Sequence, residues 1–261
     1  MRLAVWPGPA ASALADALAA SGVVTETVVV EPHEARAALD AERADLVLLT
    51  ALDVLRAPDG LAVVPGVALA GERSVRRVLV VAAPLDQIHT VAFDPRDTQE
   101  ALLTQLVLRE HYGGKPTFVL GAPGSTLAEW LEDADAALVP LGDAGDLPHG
   151  AYVLDLGQEF VDLTLRPMPW GLVAARAGTL APSAAAALAD AARLANPDDE
   201  RLRLDGVAAF QLTLDGYAAD GLEQLAQLWF QTGTLDDVPD VPFAPTVAPA
   251  AQSSEDESDE A

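Results

Sequence analysis

The sequence predicts an α/β protein with a largely parallel sheet. Three observations carry that prediction. Short apolar or β-branched runs alternate with alanine- and leucine-rich helical stretches along the chain, the order that builds strand–helix–strand units. Glycine, proline and capping residues mark most of the changes of period. Hydrophobic residues make up 51% of the 261 positions, enough for one large core or two lobes.

The elements follow in order. Residues 2–6 are a short apolar strand, and the alanine-rich stretch 10–20 is a helix stopped by Ser21 and Gly22. Residues 25–30 are β-branched and read as a strand. Pro32 suits the first turn of a helix over residues 32–41. A strand at 45–49 precedes a short helix near 51–56. Runs 61–70 and 75–82 resemble adjacent strands joined by Gly71, Glu72, Arg73 and Ser74. After a strand at 90–93, Asp97 starts a helix to about Glu110. Glu100, three residues on, completes a capping-box pattern, and Gly113 and Gly114 end the helix. A strand at 117–120, a helix at 125–132 and a strand at 136–139 come next. A loop rich in Gly, Pro and Asp covers 140–150. A strand at 152–155, a helix near 158–164 and a strand at 171–176 lead into helices at 182–194, 199–210 and 221–231. Beyond residue 237, Pro239, Pro242, Pro245 and Pro249 space a low-complexity segment ending in acids and serines. Such a composition buries too little apolar surface to offset its ordering entropy, so residues 238–261 are expected to be disordered.

The net charge of −25 narrows the partners. Nucleic-acid affinity rests on cationic contacts to phosphate, so nucleic acid and anionic membrane surfaces are not expected partners. The five acids between Glu255 and Glu260 account for part of the charge; about −20 remains without them. There is no cysteine, which excludes disulfides, thiolate catalysis and cysteine-based metal sites. His33, His89, His111 and His149 are scattered without the spacing of a helical metal site, so no metal is expected. No apolar run reaches membrane-spanning length and none at the start resembles a signal peptide. The expected location is cytoplasmic.

Ligands of open α/β sheets sit beyond the carboxyl ends of strands, beside helix N-termini. Thr98, after Pro95, Arg96 and Asp97, opens the strongest helix signal. It either donates its hydroxyl to a bound carboxylate or is an ordinary first-turn residue. Asp143, after Gly142, follows an apolar strand and either orients a substrate group or caps a turn. Arg73, Arg76 and Arg77 form the one basic cluster, suited to anion recognition or to a solvated strand edge. Trp6 and Trp170 are candidates for a cleft wall or for the core. Neither a phosphate loop nor a nucleophile elbow is present.

Several stretches, taken in order, resemble chorismate dehydratases and related menaquinone-biosynthesis proteins of the futalosine route. They include ADLVLLTALDVLR at 44–56, VRRVLVV at 75–81, PLDQIHTVAFD at 84–94, DAALVPLGD at 135–143 and YVLDLGQEFVDLT at 152–164. The resemblance covers most of the chain to about residue 237. It implies a two-lobed, periplasmic-binding-protein-like fold of type II with a central cleft. Lobe I would hold residues 1–92 and 172–237, and lobe II residues 93–171. The implied reaction is that of a carbon–oxygen hydro-lyase. It removes water from chorismate to give 3-[(1-carboxyvinyl)oxy]benzoate, needs no cofactor and acts on a small anionic substrate. The alternative is a non-catalytic or repurposed protein that binds a small aromatic carboxylate.

Position by position, Thr98 matches the start of the family's S-R-T-S helix, and Gly142 with Asp143 matches its I-G-D turn. Trp170 falls near its aromatic stretch. The chain departs at Trp6-Pro7-Gly8-Pro9, where the family reads Y-L-N, and at Thr50-Ala51, where it reads P-S. It departs again at Arg77 and Gln99, where the family has serines. The resemblance implies substrate contacts from Thr50, Arg77, Thr98, Gln99, Gly142 and Trp170, and a catalytic role for Asp143.

Overall fold

The computed structural model of the protein describes residues 1–122, 124–145 and 147–245. Thirteen strands and eight helices are present among them. The first part runs β1 (Arg2–Val5), α1 (Pro9–Ala19), β2 (Glu26–Val29), α2 (Pro32–Asp40), β3 (Leu46–Thr50), α3 (Ala51–Arg56) and β4 (Leu61–Gly71). The middle runs β5 (Arg77–Val81), β6 (Thr90–Phe93), α4 (Thr98–Tyr112), β7 (Thr117–Leu120), α5 (Leu127–Asp133), β8 (Ala136–Pro140), β9 (Tyr152–Leu154) and α6 (Leu156–Thr164). The chain closes with β10 (Met168–Arg176), α7 (Pro182–Arg193), β11 (Arg203–Leu204), β12 (Val207–Ala208), β13 (Phe210–Thr213) and α8 (Gly216–Gln231).

Two sheets organise these elements. One has the order β13-β4-β10-β3-β1-β2, the other β7-β6-β8-β5-β9. Both are mixed rather than largely parallel. β1 runs parallel to β2 and β3, and β6 to β7 and β8. β10, β4, β13, β5 and β9 join antiparallel. The cause lies in the connections: helical crossovers bring a strand back parallel, whereas β5 and β10 enter their sheets from the other lobe. The chain leaves the first sheet after Gly71 and returns to it at Met168. β5 and β6 therefore both belong to the second sheet, one on each side of β8, although the expected first lobe extends to residue 92. β4 and β5, expected to be neighbours, lie in different sheets because residues 72–76 cross between the lobes.

The strands show their surroundings in their sequence. All five residues of β3 are buried, the pattern of a strand covered on both faces. In β5, Leu79 and Val81 join the large core, while Val78 and Val80 join a smaller cluster with Ala92, Ala137 and Val139. Successive strand residues point to opposite faces, so one strand serves both cores.

The first crossing is anchored by hydrogen bonds. Asp155 caps α6, its Oδ1 accepting from the backbone of Gly157 (2.9 Å) and Gln158 (3.1 Å). The same oxygen accepts from Ser74 N (2.9 Å) and Ser74 Oγ (3.1 Å), and Ser74 Oγ accepts from Leu156 N (3.0 Å). Ser74 is only 2% exposed. The crossing chain is thus fastened to the start of α6 through the Ser74 and Asp155 side chains, and the two backbones lie in close contact. Gly157 permits this contact, since a Cβ there would lie 2.4 Å from the Arg73 carbonyl carbon.

Two other expectations change. Residues 199–210, expected to be helical, form a short turn, the β11–β12 hairpin and the start of β13. Asp205 (φ 52°) and Gly206 (φ 76°) supply the two left-handed residues of a tight hairpin turn. Part of the expected disordered tail is also ordered. Val63 N donates to Pro242 O and Ala244 N to Val63 O, both at 2.8 Å, and Ala244 is 4% exposed. Residues 246–261 lie outside the described residues. No helix among the described residues is long and apolar enough to cross a membrane.

Candidate functional site

The carboxyl ends of β1, β3 and β8 lead into the joint between the two sheets, where α4 also begins. Two cavities lie there. A larger one of about 530 Å³ is lined by Pro7, Gly8 and Pro9, Glu31, the linker residues Val75 and Arg76, Arg77, and Pro140, Leu141 and Gly142. A small one of about 50 Å³ is lined by residues including His33, Thr50, Asp53, Arg96, Thr98 and Gln99. Arg76 borders both. A groove of about 590 Å³ between α1 and α7 is larger still. Alanine is the commonest residue in its walls and it lies away from the strand ends, so the joint is the stronger candidate.

Arg76 is the centre of the joint. Its Nη2 lies 3.0 Å from Asp97 Oδ1 and its Nε 3.0 Å from Glu100 Oε1. Its guanidinium stands 5.8 Å from the centroid of the Trp6 ring, within cation–π range. Arg77 Nε approaches Asp97 Oδ2 at 2.8 Å, but out of line for a hydrogen bond. Asp97 and Glu100 are 2% and 3% exposed. Burial pushes the Asp97 carboxyl up, against the pull of Arg77 and Arg76. Burial also works against the charge of Arg76, but Glu100 and Asp97 outweigh it and hold that pKa above the ordinary arginine value. Two buried carboxylates and two arginines thus balance one another in the joint.

This pairing replaces the expected capping box. Asp97 sits at the N-cap of α4 but makes no side-chain cap, and Glu100 turns to Arg76 instead of back to the N-cap. Ion pairing and burial decide the outcome: both carboxylates are buried and meet a guanidinium there, and a buried charge needs a charged partner more than a helix end needs a cap. A capping box does form elsewhere: Thr126 and Glu129 close one at the start of α5.

Gln99 is equally committed. Its Oε1 accepts from Leu52 N at 3.0 Å, in the first turn of α3, and its Nε2 donates to the Trp170 carbonyl at 2.9 Å on β10. The side chain is 3% exposed. Trp170 enters the site through that carbonyl, since its ring is 1% exposed and lines neither cavity. Its neighbour Gly171 lets the Trp6 ring close in; a Cβ there would lie 2.5 Å from Trp6 Cη2.

The expected site residues therefore separate. Arg77 and Gly142 line the large cavity, and Thr50, Thr98 and Gln99 the small one. Thr50 caps α3, accepting from Asp53 N at 3.0 Å and donating to Asp53 Oδ2 at 2.7 Å. Burial pushes the Asp53 carboxyl up, and the Thr50 hydrogen bonds oppose it. Thr98 is exposed and donates to the Pro95 carbonyl at 3.2 Å. Asp143 is exposed and lines neither cavity. Arg96 is held by Asp94 on the surface, and its hydrogen bond lowers the Asp94 carboxyl to about 2.

Arg76, Asp97 and Glu100 are the residues that sequence reasoning undervalued. The basic cluster gave a signal for Arg76, but the acids read as a local cap. Glu31 also lines the large cavity and carried no sequence signal.

Comparisons with known proteins agree with this architecture. A family described as menaquinone biosynthesis matches residues 1–212. No curated protein matches the chain. Among solved structures, protein AF1704 from Archaeoglobus fulgidus is similar at 18% identity and a TM-score of 0.65, over 90% of this chain and 98% of its own. The periplasmic aliphatic sulphonate binding protein SsuA from Escherichia coli is similar at 19% identity and a TM-score of 0.62, over 97% and 94%. The alkanesulfonate-binding protein SsuA from Xanthomonas axonopodis pv. citri, solved with MOPS bound, gives 17% and 0.58, over 92% and 94%. At these identities the likeness establishes the fold, a two-lobed periplasmic-binding-protein-like architecture of type II.

Proposed function

We infer the activity from the premise that the chain belongs to the menaquinone biosynthesis family: it removes water from chorismate to give 3-[(1-carboxyvinyl)oxy]benzoate. A ring C–H proton and the neighbouring hydroxyl leave together as water, and aromatisation drives the step. The protein's part is to hold the carboxylates, fix the ring and exclude bulk water. The observation that carries this proposal is the 530 Å³ cavity at the joint, bordered by Arg76 and Arg77. Its volume falls within the range of about 300–1,000 Å³ usual for small-molecule sites.

The residues of that cavity suit an anion on one side. Arg77 engages Asp97 through Nε, which leaves its outer nitrogens for a ligand carboxylate. The start of α1, with Gly8 at its N-cap and no side-chain cap, adds unsatisfied backbone N–H groups and the positive end of the helix dipole. Gly142 has open space around it, so a ligand can approach the backbone there.

A second proposal has support of its own. Both arginines already face buried carboxylates, and the expected catalytic Asp143 lies outside the cavity. Binding of a small aromatic carboxylate without turnover follows from that charge balance. One experiment separates the two. Purified protein mixed with chorismate is expected to produce a rising aromatic absorbance. No product, together with saturable binding of 3-hydroxybenzoate, would establish the binding role and remove the dehydratase one. Neither product nor binding would remove both.

A further inference from the structure

We infer that Gln99 is a built-in latch that holds the two lobes closed over the cavity when no ligand is bound. In two-lobed binding folds the lobes close around a ligand that touches both of them, and a ligand shifts the balance only through contacts that favour one state. Here the protein supplies such contacts itself. Gln99 projects from α4, which follows a strand of the five-stranded sheet. Both its partners belong to the six-stranded lobe: Leu52 N in α3 at 3.0 Å and the Trp170 carbonyl in β10 at 2.9 Å.

A carboxamide is suited to this bridge. The Leu52 N–H needs an acceptor and the Trp170 carbonyl a donor, and the terminal group of Gln99 presents one of each. The bridge is buried, so water does not compete for it in the closed state. The cation–π contact of Arg76 with Trp6 lies at the same joint. The large cavity, by contrast, is bounded by Pro7–Pro9 on one side and Pro140–Gly142 on the other. Gln99 lines the small cavity and not this one, so the latch does not occupy the space of a ligand. The inference does not depend on which ligand that is.

The absence of cysteine makes the test clean. Ala19→Cys on α1 and Glu132→Cys on α5, both exposed, carry spin labels on opposite lobes, and pulsed electron paramagnetic resonance reads the distance between them without ligand. The labelled parent is expected to give one short population. Gln99→Met keeps the bulk of the side chain and loses both hydrogen bonds. It is expected to add a longer population, with the open-to-closed ratio raised roughly tenfold or more. Gln99→Ala is expected to do the same. Should the alanine variant fail to fold, the methionine variant decides. A parent already distributed between two distances, or a Gln99→Met distribution identical to the parent's, would overturn the latch. A lower melting temperature with an unchanged distance would count against it too, since that is what a merely structural glutamine predicts.

Discussion

Arg76→Ala is expected to lower stability by about 3–5 kcal/mol, the largest loss foreseen for any single side chain here. The guanidinium serves Asp97 and Glu100 at once, both at 3.0 Å, and both acids are almost wholly buried. Removing it leaves one carboxylate with no cation and the other with only the off-line contact to Arg77. The cost comes from stranding the acids rather than from losing a favourable pair. A second variant checks that origin. Arg76→Met combined with Asp97→Asn and Glu100→Gln removes all three charges, and it is expected to recover most of the loss. Arg76→Lys should fall in between, because a point charge cannot serve two carboxylates as a planar fork does. Urea unfolding measures all three. A loss below about 1 kcal/mol for Arg76→Ala would show that the acids are solvated or protonated in the native state.

Gly157→Ala is expected to cost about 3 kcal/mol through overpacking. The added Cβ would meet the carbonyl carbon, Cα and N of Arg73 at 2.4, 2.7 and 2.7 Å. All three are backbone atoms, so no rotamer relieves the clash. The start of α6 would have to move off the crossing chain, which pulls Asp155 away from Ser74 and from its own cap. Gly142→Ala is the matched control: nothing lies within 4 Å of its Cβ, so a change within about 0.5 kcal/mol is expected. Equal thermal midpoints for the two variants would contradict the tight crossing.

The contrast between these glycines shows what the sequence discloses. Periodicity and punctuation placed β3, α4, β10 and α8 near their observed positions, since each carries its own pattern of burial or capping. Long-range choices were hidden. Asp97 and Glu100 have the spacing of a capping box, and nothing local reveals that Arg76, more than twenty residues earlier, will claim both. The same limit applies to Gln99, whose partners are 47 and 71 residues away. Other features are encoded locally. Asp205-Gly206 carries a hairpin turn signal, but the flanking residues also suit a helix. Thr126 and Glu129 have the spacing of a capping box, and one forms there. The site was half legible for one reason: the sequence shows which residues could bind an anion, but only the fold shows which are already bound to each other.

The pairing of residues 242–244 with Val63 has a further consequence. β13 pairs with β4 only from Val67 to Gly71, so the first half of β4, with Leu61 to Val64 all buried, would otherwise end the sheet in bare N–H and C=O groups. Such an apolar edge is a template for strand addition between molecules. Cutting the chain after residue 237 would uncover it, and self-association rising with protein concentration is the outcome to watch by light scattering. A segment whose composition marks it as dispensable then serves as a guard against aggregation.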